Sequence, residues 1–247
     1  MTFVLRLLSA IFVTLLLSAP AMAADRLVLS SGMHEPWTNA EGTGFTNLFV
    51  AELFARLGLK AEVSFNPAAA RALQLADAGT DDGLAARIAG LEKDYPNLVR
   101  VPEPIFINDF IAASTGVAPA VRNWDDLRPH VVAYILGWQV FDNNLPPVRD
   151  LTHAKDSRQL LGMLKSGRAE YILHERWQAE WQARVQGVAL TVQEPPLVST
   201  PMYIYLHRRH ADLVPRVAAE LAAMKAEGHD KALMAKVMAR AGSRPQK

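Results

Sequence analysis

The chain has 247 residues, with 26 basic and 25 acidic side chains and no cysteine. That balance argues against nucleic-acid binding and a polybasic membrane contact, and the missing thiols exclude a disulfide framework, thiol catalysis and a cysteine-borne lipid anchor. Half of the residues are hydrophobic and no stretch is of low complexity, which argues against disorder and supplies a large core.

Residues 1–23 hold a single charge, Arg6, then an uncharged, largely apolar run over 7–17 and the small-x-small site Ala21-Met22-Ala23. This is the three-part pattern of a secretory signal peptide. The run is too short to span a membrane, which takes ~20 apolar residues. The expected mature chain starts at Ala24, with 224 residues (247 − 23). An export signal without a following cysteine points to a free protein in a bacterial periplasm.

Residues 26–31 (RLVLSS) predict a strand and 32–44 a loop punctuated by glycines and Pro36. The loop carries Glu35 and Trp37, a carboxylate and an aromatic after the first strand. They suit a ligand, and Trp37 equally suits the end of a core. Phe45, Leu48, Phe49, Leu53, Phe54 and Leu57 recur at helical spacing, with Thr43 or Gly44 as cap and Gly58 as stop. A strand over 60–65 follows, and Asn66-Pro67 then opens a helix that carries Arg71. Strands are predicted over 82–88 and 105–113. Arg87 stands at the carboxyl end of the first of these, where open α/β sheets bind ligands. Its planar fork matches a carboxylate; a structural ion pair is the other reading for Arg71 and Arg87.

The stretch 113–120 (ASTGVAPA) is rich in breakers. A strand over 130–136 leads through Gly137 into a helix from about Trp138. Backbone N–H groups at such a helix start favour an anion, and Trp138 is read as a stacking partner or a core residue. Then come a strand over 150–153, a helix over 156–165 capped by Asp156 or Ser157, a strand over 169–174 and a helix over 175–185. Glu175 joins these last two, placed to pair with a ligand ammonium or simply favoured by the helix dipole. A second breaker-rich stretch, 194–201 (EPPLVSTP), precedes a strand over 201–207 and helices over 211–227 and 230–241.

Strands alternating with helices predict an α/β architecture. Two blocks emerge, and the last 47 residues need an apolar surface to cover. If they return to the first block, lobe 1 comprises 24–113 plus 201–247 and lobe 2 comprises 114–200. The chain then crosses twice, at 113–120 and 194–201, which makes a hinge and a closable cleft. No G-x-S-x-G, P-loop or G-x-G-x-x-G is present. His174-Glu175-Arg176-Trp177-Gln178 lacks the second histidine of a zinc-protease helix, and His207 and His210 lack a third ligand, so no metal and no cofactor are expected.

The order and spacing of several segments carry a resemblance. They are VLSSGMHEPW, GTGFTNLFVAELFARLGLKAEV, DDGLAARIAGLEKDYPNLVRVPEPIF, GMLKSGRAEYILHE and PPLVSTPMYIYLHRRHADLVPRVAAELAAMKAEG. Together they resemble the type-2 periplasmic solute-binding proteins, specifically extracytoplasmic family 3, which serves polar amino-acid ABC transporters. The resemblance implies two lobes joined by two strands with ligand between them. It places Trp37 at the family's first-loop aromatic, Gly137-Trp138 at its helix-start contacts, and Glu175 at the acid that holds the α-amino group. The family's carboxylate-gripping arginine falls on Tyr95, which leaves Arg87 or Arg71 for that task.

The expected function is therefore binding of a small polar solute by hinge closure, as a monomer handing it to an inner-membrane ABC permease. The alternatives are an enzyme on the same scaffold, similar to cyclohexadienyl dehydratases with Glu175 or Glu35 as general acid or base, and a soluble sensor subunit.

Overall fold

The computed structural model describes residues 26–241; the expected signal peptide and cleavage site lie outside them. The first half contains β1 (Leu27–Ser31), α1 (Phe45–Arg56), β2 (Ala61–Phe65), α2 (Ala69–Asp77) and β3 (Gly83–Arg87). An 18-residue strand, β4 (Leu98–Thr115), leads into the second half. There follow β5 (Val131–Ile135), α3 (Gln139–Asp142), β6 (Asp150–Ala154), α4 (Ser157–Lys165), β7 (Tyr171–Glu175), α5 (Arg176–Gln186) and β8 (Leu190–Val192). Strand β9 (Val198–His207) returns, and α6 (Val214–Ala226) and α7 (His229–Met238) close the chain.

The strands form one sheet in the order β2-β1-β3-β9-β4-β7-β5-β6, with β8 pairing β4. β1 is parallel to β2 and β3, and β5 is parallel to β6 and β7. Each half is thus a small parallel unit whose strands are joined through helices, as parallel pairing requires. The antiparallel pair β4 and β9 runs through the middle.

Burial alternates along the strands. Leu84, Leu98 and Tyr205 belong to one apolar cluster, while Ala85, Val101, Ile204 and Leu206 belong to another. In the second half Val132, Tyr171 and Leu173 face one cluster, and Ala133 and Ile172 face the other. The period-two alternation puts apolar side chains on both faces, as expected of a sheet covered on both sides by helices.

Core membership changes within β4. Ile105 belongs to the first half's core and Ile111 to the second's. The segment between pairs residue by residue with β9, from Phe106 opposite Met202 to Phe110 opposite Val198. The first crossing therefore lies inside a strand, ahead of the breaker-rich 113–120 stretch, which leads to Val121 in the second half's core. Val217, Leu221, Met224, Val237 and Met238 of the last two helices lie in the first half's core.

Helix α5 belongs to both halves. Ala179 and Ala183 pack in the second core, while Trp181, with Trp177 and Val185 at its margin, packs in the first. Residues four apart share a helix face, so α5 presents an alanine face one way and a tryptophan face the other. Arg184 at its end donates to the Met238 carbonyl of α7 at 3.1 Å.

Three predicted elements differ. The helix expected from Trp138 is only four residues long and ends at its C-cap Asn143, shortly before Pro146 and Pro147. The strand expected over 105–113 extends from Leu98, since register shifts beside Pro104 let the proline sit in the ladder. The first C-terminal helix begins at Val214 with Pro215 in its first turn, after a 3-10 segment over 208–213.

Candidate functional site

A cleft of about 330 Å³ lies between the two halves. One wall is the loop over 34–41 with Phe65 from the end of β2; the other is Ser157 and Gln178 from the starts of α4 and α5, with Gln182 one turn further along α5. Both walls stand at carboxyl ends of parallel strands, the place where open α/β sheets present ligands.

The loop is held from within. Asn39 is buried, and its Oδ1 accepts from Thr43 N at 2.9 Å. Its Nδ2 donates to Glu35 Oε1 at 3.1 Å and to Thr43 Oγ1 at 2.8 Å. Thr38 Oγ1 donates to Ser31 Oγ at 2.9 Å, which ties the loop to β1. The first amides of α1 are taken by loop carbonyls: Phe45 N donates to Pro36 O (2.8 Å) and Thr46 N to Trp37 O (2.7 Å). Gly44 makes that approach possible, because a Cβ there would stand 2.5 Å from the Trp37 carbonyl oxygen. Glu35 is thus positioned in the cleft by a loop whose polar groups have partners.

Trp37 and Glu175 meet behind the cleft. Trp37 is 1% exposed and stacks on Phe106 with ring centroids 3.8 Å apart. Its Nε1 donates to Glu175 Oε2 at 3.0 Å. Glu175 has no exposed surface and is the N-cap of α5. Its carboxylate also accepts from Trp177 N (3.1 Å) and Gln178 N (2.9 Å). Burial pushes its pKa up to about 7 against the pull of these donors. The acid expected to face a ligand ammonium is therefore held by three donors of the protein, and the aromatic expected on the ligand lies within the first half's core.

Next to Glu175, His174 is fully buried, and burial lowers its pKa to about 3, so the ring is neutral. Glu175 N donates to its Nδ1 at 2.7 Å, and its Nε2 lies 2.8 Å from Ser157 Oγ. Trp138 meets the His174 ring edge-on at 4.9 Å.

The remaining predicted residues stand apart from these cleft walls. Arg87 ends β3 opposite Tyr203, largely buried, and its Nε and Nη2 have no hydrogen-bond partner among the described residues. Burial depresses its pKa. Arg71 is exposed on α2. Gly137, with φ of 87°, turns the chain on the surface, and Trp138 packs at the margin of a core cluster. With α3 only one turn long, the anion-favouring helix start expected there does not form. Sequence reasoning missed Asn39, Ser157 and Gln178. Only Ser157 carried a signal, as a possible helix cap, and the cap is Asp156, whose Oδ1 accepts from Gln159 N at 2.8 Å.

No protein-family model matches the chain, and no curated protein is similar to it in sequence. Solved structures are similar in fold. Substrate-binding domain 2 of GlnP from Lactococcus lactis, in an open conformation, superposes with a TM-score of 0.69 at 15% identity, covering 86% of this chain and 95% of that one. The amino-acid ABC transporter substrate-binding protein AbpA of Streptococcus pneumoniae, bound to L-arginine, gives 0.64 at 15% identity over 89% and 97%. An ancestral amino-acid-binding protein described as a precursor of cyclohexadienyl dehydratase gives 0.62 at 20% identity over 86% and 95%. At these identities the likeness establishes the fold: the chain has the two-lobe, type-2 periplasmic-binding-protein architecture.

Proposed function

We propose that this protein binds a small polar solute, an amino acid or a related amine or carboxylate, by closing its two lobes over the cleft, and passes it to an inner-membrane ABC permease. The observation that carries this reading is the cleft itself, walled by side chains from two separately cored halves. In this reading lobe 1 runs into β4 as far as Ile105 and resumes late in β9, lobe 2 lies between, and the paired middle segments of β4 and β9 are the hinge. A solute that touches both walls binds the closed form more tightly and shifts the equilibrium toward it. Glu35 faces the solute from lobe 1. Arg87, expected from the sequence to grip a carboxylate, stands apart from these walls with its Nε and Nη2 enclosed, and is not counted among the solute contacts. Trp37 and Glu175 hold the walls together from behind.

The test is isothermal titration of the secreted protein with the common amino acids and their amines. Stoichiometric binding without chemical change supports the reading, and no binding across the set removes it.

A lyase on the same scaffold is the second reading, supported by the neighbour described as a precursor of cyclohexadienyl dehydratase. Glu35 is then the candidate general acid or base. Steady turnover of prephenate or arogenate by the purified protein establishes that alternative.

A further inference from the structure

The hydrogen bonds behind the cleft fix the position of one proton. A backbone N–H only donates, so His174 Nδ1, which accepts from Glu175 N at 2.7 Å, carries a lone pair. A neutral imidazole has one ring proton, and it must then sit on Nε2. Nε2 is 2.8 Å from Ser157 Oγ, so the imidazole donates and the hydroxyl accepts. The Ser157 proton is therefore not shared with His174. No other partner for Oγ exists among the described residues, and Ser157 lines the cleft.

We propose that Ser157 is a specificity-determining residue, a hydroxyl whose proton is turned into the cleft by His174 to meet a carboxylate oxygen of the solute. This rests on the solute-binding reading and gives it a chemical direction: the ligand's carboxylate lies toward the start of α4. Burial in the second half, the Glu175 amide on Nδ1 and the edge of Trp138 hold the imidazole in one orientation. The same tautomer denies the pair a nucleophilic role. His174 Nε2 has no lone pair with which to take the Ser157 proton, so Ser157 is a donor here and not a nucleophile.

The test pairs acids with their decarboxylated amines: L-arginine with agmatine, L-lysine with 1,5-diaminopentane, L-histidine with histamine and L-tyrosine with tyramine. Affinities are measured for the wild-type protein, Ser157→Ala and Ser157→Thr. The wild type prefers the acid of its best pair. Ser157→Ala shrinks the preference by about tenfold, as loss of a hydrogen bond to a charged group implies. Ser157→Thr keeps the hydroxyl and the preference. An acid-to-amine ratio unchanged in Ser157→Ala, or a wild type that prefers the amine, overturns the proposal.

Nitrogen-15 spectra of the His174 ring test the same claim without any ligand. A proton on Nε2 supports it and a proton on Nδ1 overturns it. If none of the eight compounds binds, the solute-binding reading falls, and the tautomer still reports separately on which way the hydroxyl is turned.

Discussion

Trp37 and Glu175, 138 residues apart in sequence, share a fully buried hydrogen bond of 3.0 Å. The indole belongs to the loop that forms one wall of the cleft, and the carboxylate caps the helix that forms part of the other. The bond therefore couples the relative position of the walls to the satisfaction of a buried acid.

Trp37→Phe keeps an aromatic ring against Phe106 and removes the indole N–H together with the buried volume of the second ring. Leaving a buried carboxylate one donor short costs about 1–3 kcal/mol. For a chain of this size each kcal/mol moves the melting midpoint by roughly 2–4 °C. A drop of at least that range is expected in a thermal melt at neutral pH, since the cavity adds to the lost bond, and an unchanged midpoint would show that the Trp37–Glu175 bond contributes nothing.

The pH profile carries two opposing contributions. The folded-state pKa of Glu175 is about 7 against an ordinary 4.5, so between these values the folded protein holds a proton that the unfolded chain releases. Stability from this group falls as pH rises from 4.5 to 7. His174 is the reverse, about 3 folded against 6.5 unfolded. Its contribution rises with pH from 3 to 6.5. Urea titrations of the wild type should show stability climbing from pH 3, flattening near 4.5 and falling between 6.5 and 7. Glu175→Gln should keep climbing to about pH 6.5 and show no fall. Parallel profiles for the two proteins would contradict this assignment.

Arg87→Met removes a largely buried cation that has two unpartnered nitrogens. An unpaired buried charge is costly, and an apolar side chain of similar length is neutral or stabilising in its place. The melt without ligand should hold or rise, and binding at the cleft, from which Arg87 stands apart, should be unchanged. A fall of several kcal/mol with binding intact would make Arg87 a structural residue.

A true ligand present at 100 times its dissociation constant adds ~2.7 kcal/mol to stability. At ~2–4 °C per kcal/mol the midpoint rises by roughly 5–11 °C, enough to screen amino acids and amines by thermal shift. Compounds that give no such rise at saturating concentration are not the solute.

Much of the fold was legible because its signals are local. The Asp156 cap, the apolar spacing of Phe45, Phe49 and Leu53, and the breaker at Gly58 each act within a few residues, and α4 and α1 begin and end close to where they imply. The full length of β4 was not: the predicted strand starts at 105, while the structure carries it back to Leu98 and absorbs Pro104 with a register shift, a pairing that depends on the distant β9. The site was legible only in part. Strand ends named Glu35, Arg87 and Glu175, but nothing local tells that a tryptophan 138 residues away completes Glu175, or that His174 dictates the hydroxyl of Ser157. Both depend on which elements the topology brings together.

The two-sided helix α5 has a consequence for how this molecule comes apart. Neither half, expressed alone, would be a finished body: one piece would lack the Trp181 that fills its interior, and the other would carry that indole stranded in water. Excised fragments should therefore aggregate or stay unfolded, and the intact chain should give a single calorimetric peak instead of two.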